Sequence, residues 1–157
     1  MISNGWSKGK NSVNPQIQSG ISVLAVGQFA KASLVLLTRC GFPATPCLTV
    51  KDALKLLVKG RHQIVLCDLD SPGISNKELF NRVRADFPDV ALVVVTRPEK
   101  LRDGMLAMVE GASGYIQTPF QPELVASGLR SALTRKRLES AMRVQSLDRI
   151  ELAKKSV

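Results

Sequence analysis

The carboxylates Asp68 and Asp70 come directly after the apolar run Ile64-Val-Leu-Cys67. A carboxylate at the end of a buried strand is exposed and oriented, which suits a nucleophile for phosphoryl transfer or a metal ligand. Thr96 closes a second apolar run, Val90-Ala-Leu-Val-Val-Val95, and Arg97 follows it. A hydroxyl in that position can hydrogen-bond whatever the neighbouring acid carries. Gly27-Gln28 and Gln117-Thr118-Pro119 stand just past two further runs. Other chemistries are poorly supplied. His62 is the only histidine, and Cys40, Cys47 and Cys67 form no CxxC pair. Neither a zinc site nor a Ser-His-acid or Cys-His arrangement assembles from that inventory, and no enzyme activity is expected. The three thiols are expected as small buried hydrophobes.

The elements that must position these residues are legible in the hydropathy pattern. Ile21–Val26, Ile64–Cys67 and Val90–Val95 are near-continuous apolar runs, the mark of parallel strands covered on both faces. A strand near Thr45–Leu48 is flanked by Pro43 and Pro46, which fits a sheet edge only. A fifth is expected at Ser113–Ile116. Amphipathic stretches at about 28–40, 51–59, 76–86 and 99–110 read as helices between them. Such alternation predicts a doubly wound α/β domain over residues 20–135 with right-handed crossovers. In such a sheet, ligands gather at the carboxyl ends of the strands, beside the point where strand order reverses. After Gly128 there is no Gly or Pro, so Leu129–Lys155 reads as a long helix, with residues 136–157 overrunning the domain. Its apolar residues keep no clean heptad, yet a helix of that length calls for a partner, which suggests a homodimer. Residues 1–19, polar and aperiodic, read as a disordered or loosely held arm carrying the solitary Trp6.

Composition narrows the function classes. The chain has 157 residues, 22 bases, 13 acids and a net charge of +9. The charge is uneven: residues 1–51 hold five bases and no acid, residues 52–129 nine bases and ten acids, residues 130–157 eight bases and three acids. An anionic partner is therefore open, through the basic arm, Arg97, Arg102 and the Arg135-Lys136-Arg137 run. Against nucleic acid stand the low aromatic content of 4% and the lack of a glycine-rich phosphate loop. No run is long enough for a membrane span or laid out as a signal peptide. With an odd number of thiols, this predicts a cytoplasmic protein.

Three segments carry a family resemblance: Ile64-Val-Leu-Cys-Asp68-Leu-Asp-Ser-Pro72-Gly, Val93-Val-Val-Thr96 and Gly111-Ala-Ser-Gly-Tyr115-Ile-Gln-Thr-Pro119-Phe120. With their spacing, residues 20–135 resemble the response regulator receiver domain of two-component signalling. The resemblance implies a flavodoxin-like five-stranded sheet in the order 2-1-3-4-5. It places the phosphoacceptor at Asp68, the phosphate contact at Thr96 and the aromatic switch at Tyr115. It also implies a histidine kinase or effector protein as partner, with output through the face of helix 4, strand 5 and helix 5.

The departures from the family pattern are specific. The acidic pair that holds Mg²⁺ in the family would fall at Leu24-Ala25 or Val26-Gly27, and no acid precedes Asp52. The active-site lysine is replaced by Thr118, and Ser71 and Arg97 stand where a methionine and a small residue are usual. Phosphoryl transfer to a carboxylate needs its negative charge neutralised, so losing both metal and lysine removes several kcal/mol of stabilisation. The expectation is a pseudo-receiver without cofactor or metal, acting through protein contacts. Arg97 either pairs with Asp68 as a substitute cation or points to solvent. The alternative is a binder of a cyclic dinucleotide or nucleic acid through the basic residues.

Overall fold

Val23, Leu24, Ala25 and Val26 have no exposed surface at all, which is what a strand buried on both faces requires. They form β1 (Val23–Val26) in a computed structural model that describes residues 21–71 and 76–155. The expected arm at 1–19, with Trp6, lies outside the described residues, as do Pro72 and Gly73. The other elements are α1 (Ala30–Arg39), β2 (Ala44–Cys47), α2 (Val50–Val58), β3 (Ile64–Asp68), α3 (Asn76–Asp86), β4 (Ala91–Thr96), α4 (Leu101–Val109), β5 (Gly114–Gln117) and α5 (Pro122–Lys155).

The sheet is parallel throughout, in the order β2-β1-β3-β4-β5. β2 is an edge, as its prolines require. Val23 and Gly27 donate their N–H groups to the carbonyls of Pro43 and Cys47. Alternation along the strand then turns Pro46, which has no N–H to give, toward the open side. Each strand splits its side chains between two cores. Val23, Ile64, Leu66, Val93 and Val95 pack with Leu37 of α1 and Leu129 and Leu133 of α5. Leu24, Val26, Val65, Cys67, Leu92 and Val94 pack on the other face with Leu57 of α2, Phe80 of α3 and Ala107 of α4.

Three boundaries differ from the sequence expectation. The helix expected over 99–110 is divided into a 3₁₀ turn, Pro98–Lys100, and α4. Pro98 stands in the first turn of that segment, where its missing N–H is no loss. The last helix starts at Pro122 rather than after Gly128. Gly128 is accommodated because it lies against β5, where a Cβ would come within 3.2 Å of Ile116 Cγ1. The helix also crosses residue 135 without a break, and its buried residues end at Leu133. Among the described residues no helix is long and apolar enough to cross a membrane.

Candidate functional site

The register of the sheet decides what lies beside Asp68. Val26 pairs with Cys67, so one step further sets Gly27 level with Asp68, the last residue of β3. Of the two places where the family's acidic pair could fall, Leu24-Ala25 lies inside β1, and Val26-Gly27 spans its last residue and the one after it. Gly27 has φ +127°, and a Cβ there would stand 3.0 Å from Asp68 Cβ. Only glycine makes that approach without strain. The next residue, Gln28, donates its N–H to Ser71 Oγ at 3.0 Å, which ties the β1–α1 turn to the loop after β3. Ser71 is 7% exposed, so the accepting end of this link is buried while Gln28 is exposed.

Asp68 Oδ1 accepts the backbone N–H of Asp70 at 2.9 Å, a turn that points the second carboxylate across the rim. There Asp70 Oδ1 receives Lys100 Nζ at 2.9 Å and Asp70 Oδ2 receives Arg97 Nε at 3.0 Å. Arg97 therefore pairs with Asp70, and neither the pairing with Asp68 nor the free solvent-facing arginine is observed. The geometric reason is the turn, which carries Asp70 out of the strand line toward the 3₁₀ segment. The hydrogen bond from Lys100, and after it that from Arg97, hold the Asp70 carboxyl below the usual carboxylate range, against a partial burial that pushes the other way.

Thr96 is 2% exposed, and its Oγ1 has no hydrogen-bond partner among the described residues. Its carbonyl accepts the N–H of Thr118 at 2.9 Å, across a Thr118-Pro119 peptide that is cis. Asp68, Asp70, Thr96, Arg97 and Thr118 line one small cleft of about 270 Å³, capped by Phe29. Tyr115 is not in it. It lies on β5, 41% exposed, beside Gly104, where a Cβ would stand 3.6 Å from the tyrosine Cγ and 2.8 Å from Thr96 Cγ2. Gly104 thus lets α4 sit directly on Thr96 and Tyr115. Below the cleft, burial first, and the nearby Asp68 second, push the Cys67 thiol up to about 12, so it stays protonated and unreactive.

Lys100, which the sequence reading did not place at this site, completes the rim with Asp70, Ser71 and Gly27. The signals were there in outline, as two carboxylates spaced i, i+2 after a strand and two cations spaced i, i+3 after the next. No group of three or more His, Cys, Asp or Glu residues that could hold a metal exists among the described residues, and both oxygens of Asp70 already carry cations. Arg97 also lies 3.9 Å from Glu99, so both cations of the rim are already engaged by carboxylates.

Asp70→Asn is expected to lower the unfolding midpoint by about 2–4 °C in low salt, since exposed pairs contribute little individually. The difference should shrink in about 1 M NaCl, where such pairs are screened. Because the folded carboxyl titrates below its unfolded value, its stabilisation is complete above about pH 4 and is lost as the pH falls through the lowered value. Thermal melts of both proteins between neutral and acid pH check the sign: the two curves should converge in acid.

The order of the sheet and an acid at the end of β3 define a flavodoxin-like receiver domain. Residues 28–130 match the response regulator receiver domain family, and the chain belongs to it. Receiver domains are signalling modules that work with histidine kinases or effectors. The chain is 30% identical over 88 residues to the Heme response regulator HssR of Staphylococcus aureus, strains JH9 and Newman. That match covers 56% of this chain and 39% of the relative, well under half of its length. The fold is also similar to the crystal structure of a response regulator receiver domain protein from Clostridium thermocellum. There the TM-score is 0.66 at 20% identity, covering 75% of this chain and 98% of that one. A putative response regulator from Chloroflexus aurantiacus gives a TM-score of 0.63 at 23% identity, covering 73% and 98%.

Proposed function

We propose that this receiver domain is a pseudo-receiver, which signals through protein contacts without Mg²⁺-dependent phosphorylation of Asp68. The observation that carries the proposal is the Asp70–Arg97–Lys100 clamp beside Gly27, which lies level with Asp68 at the end of β1 and carries no acid. In the family, charge at this rim changes when a phosphoryl group and a metal arrive. Here the β3 loop and the β4–α4 segment are already joined by ion pairs. Thr118, with no charge, stands where a lysine would meet the phosphoryl group.

Output then depends on what the clamp holds in place. α4 and β5 expose Met105, Leu106, Val109 and Tyr115, flanked by Lys100 and Arg102, a surface suited to an effector or kinase. A second copy is assigned to the distal part of α5, where Leu138, Met142, Leu147, Ile150 and Leu152 are exposed. The reading as a binder of cyclic dinucleotide or nucleic acid through Arg97 and the 135–137 run has less support. Arg97 is held by Asp70, Arg135 donates to the Ser113 carbonyl and Lys136 is paired with Glu139.

Incubation with acetyl phosphate and Mg²⁺, followed by intact-mass measurement, tests the central proposal. No phosphoryl adduct is expected. A stoichiometric adduct on Asp68 that Asp68→Asn abolishes would overturn it.

A further inference from the structure

At the β2 edge, away from Asp68, a cleft of about 490 Å³ opens between the start of α1, the end of β2 and the outer face of α2. Its floor is apolar, formed by Pro46, Leu48 and Leu56, and Leu48 is more than half exposed. Three ammonium groups surround it: Lys31 from α1, Lys55 from α2, and Lys59, the residue that caps the C-terminal end of α2. None of the three has an ion pair among the described residues, although ion pairs occur elsewhere on the surface. Asp52 is the only acid lining the cleft, so the lining carries two positive charges in excess.

We infer that this cleft binds a small organic phosphate of charge about −2, the size of a nucleotide, with its apolar body over Leu48 and Leu56 and its phosphate among Lys31, Lys55 and Lys59. The size lies within the range of small-ligand sites, which are mostly apolar with a few converging polar groups. Lysine heads act as point charges on phosphate, and a phosphate monoester carries about −1.5 to −2 at neutral pH. An acidic peptide fits less well. Its affinity would come from backbone pairing along β2, and Pro46 interrupts the outward-facing donors of that edge. The inference is independent of the phosphorylation state of Asp68.

Cys47 in the same cleft provides the readout. Its thiol is pushed up to about 11 by burial first and by Asp52 second, so it alkylates slowly and only where reagent can enter. The full chain is treated with N-ethylmaleimide alone and with AMP, adenosine or inorganic phosphate, and Cys47 modification is followed by peptide mass. AMP should slow it at millimolar concentration, with Asp68→Asn behaving as the native chain. Adenosine should protect far less, because it lacks the charge. Lys55→Gln and Lys59→Gln, both on an exposed face and harmless to folding, should each weaken AMP protection roughly tenfold. Equal protection by adenosine, protection that survives both lysine substitutions, or none by AMP at 10 mM (on the order of the weakest useful affinity) would each overturn the inference. Loss of AMP protection in Asp68→Asn would place the ligand at the receiver cleft instead and overturn it as well.

Discussion

Gly27→Asp, which restores a carboxylate beside Asp68, should destabilise the domain by roughly 2–4 kcal/mol. Two effects combine. A φ of +127° lies in the region that side-chain-bearing residues rarely adopt, and the new Cβ would meet Asp68 Cβ at 3.0 Å and Ser71 Cβ at 3.2 Å. A second carboxylate would then face Asp68 with no cation to spare, since Arg97 and Lys100 are held by Asp70. Gln28→Asp is the control. Its side chain is exposed, and the link from its backbone N–H to Ser71 survives substitution, so a change within about 0.5 kcal/mol is expected. Urea unfolding of both variants measures the difference. Equal losses at the two positions would show that the backbone at Gly27 is not the obstacle. If the loss falls on Gly27 alone, a carboxylate cannot be placed there by one substitution without loss of stability, because the turn depends on a residue without a Cβ.

The next largest effect is expected at Leu129→Ala, a loss of about 2–5 kcal/mol from cavity formation. Leu129 is fully buried in the core under β4 and β5, and α5 is held to the domain by it with Val125, Ala126, Ala132 and Leu133. Such a loss is a large fraction of the stability of a domain this size. Leu147→Ala should change the stability of the isolated chain by no more than about 0.5 kcal/mol, because Leu147 is 61% exposed. Light scattering separates the roles of the two halves. If the distal half of α5 pairs with a second copy, the full chain is a dimer that deletion of residues 137–157 makes monomeric. A monomer in both cases removes the dimer from the proposal.

Much of the fold was legible because its strands are buried on both faces. Continuous apolar runs such as Ala91–Val95 have no amphipathic alternative at that length. The proline-flanked β2 could sit only at an edge, and the structure places it there. What escaped was local geometry that depends on a single dihedral or a single contact. Gly128 reads as a helix breaker, yet its missing Cβ is what lets α5 lie against Ile116. Arg97 could be tied to an acid by charge, but Asp68 and Asp70 are only two residues apart. The choice between them rests on the turn in which Asp68 Oδ1 accepts the Asp70 N–H, and charge alone does not decide it. Lys100 joined the clamp only because Pro98 opens a 3₁₀ turn that points it back at the sheet.

The last buried residue of α5 is Leu133, and the helix continues to Lys155. Ser140 and Arg143 both reach back to Asp89 in the α3–β4 connection, a polar strap partway along the overhang. Beyond that strap, at 1.5 Å per residue, the stretch from Arg143 to Lys155 spans about 18 Å, so a tilt of roughly 10° at the strap carries the far end about 3 Å. The strap to Asp89 is therefore the pivot of a lever, and a small tilt there becomes a displacement the size of a hydrogen bond at the tip.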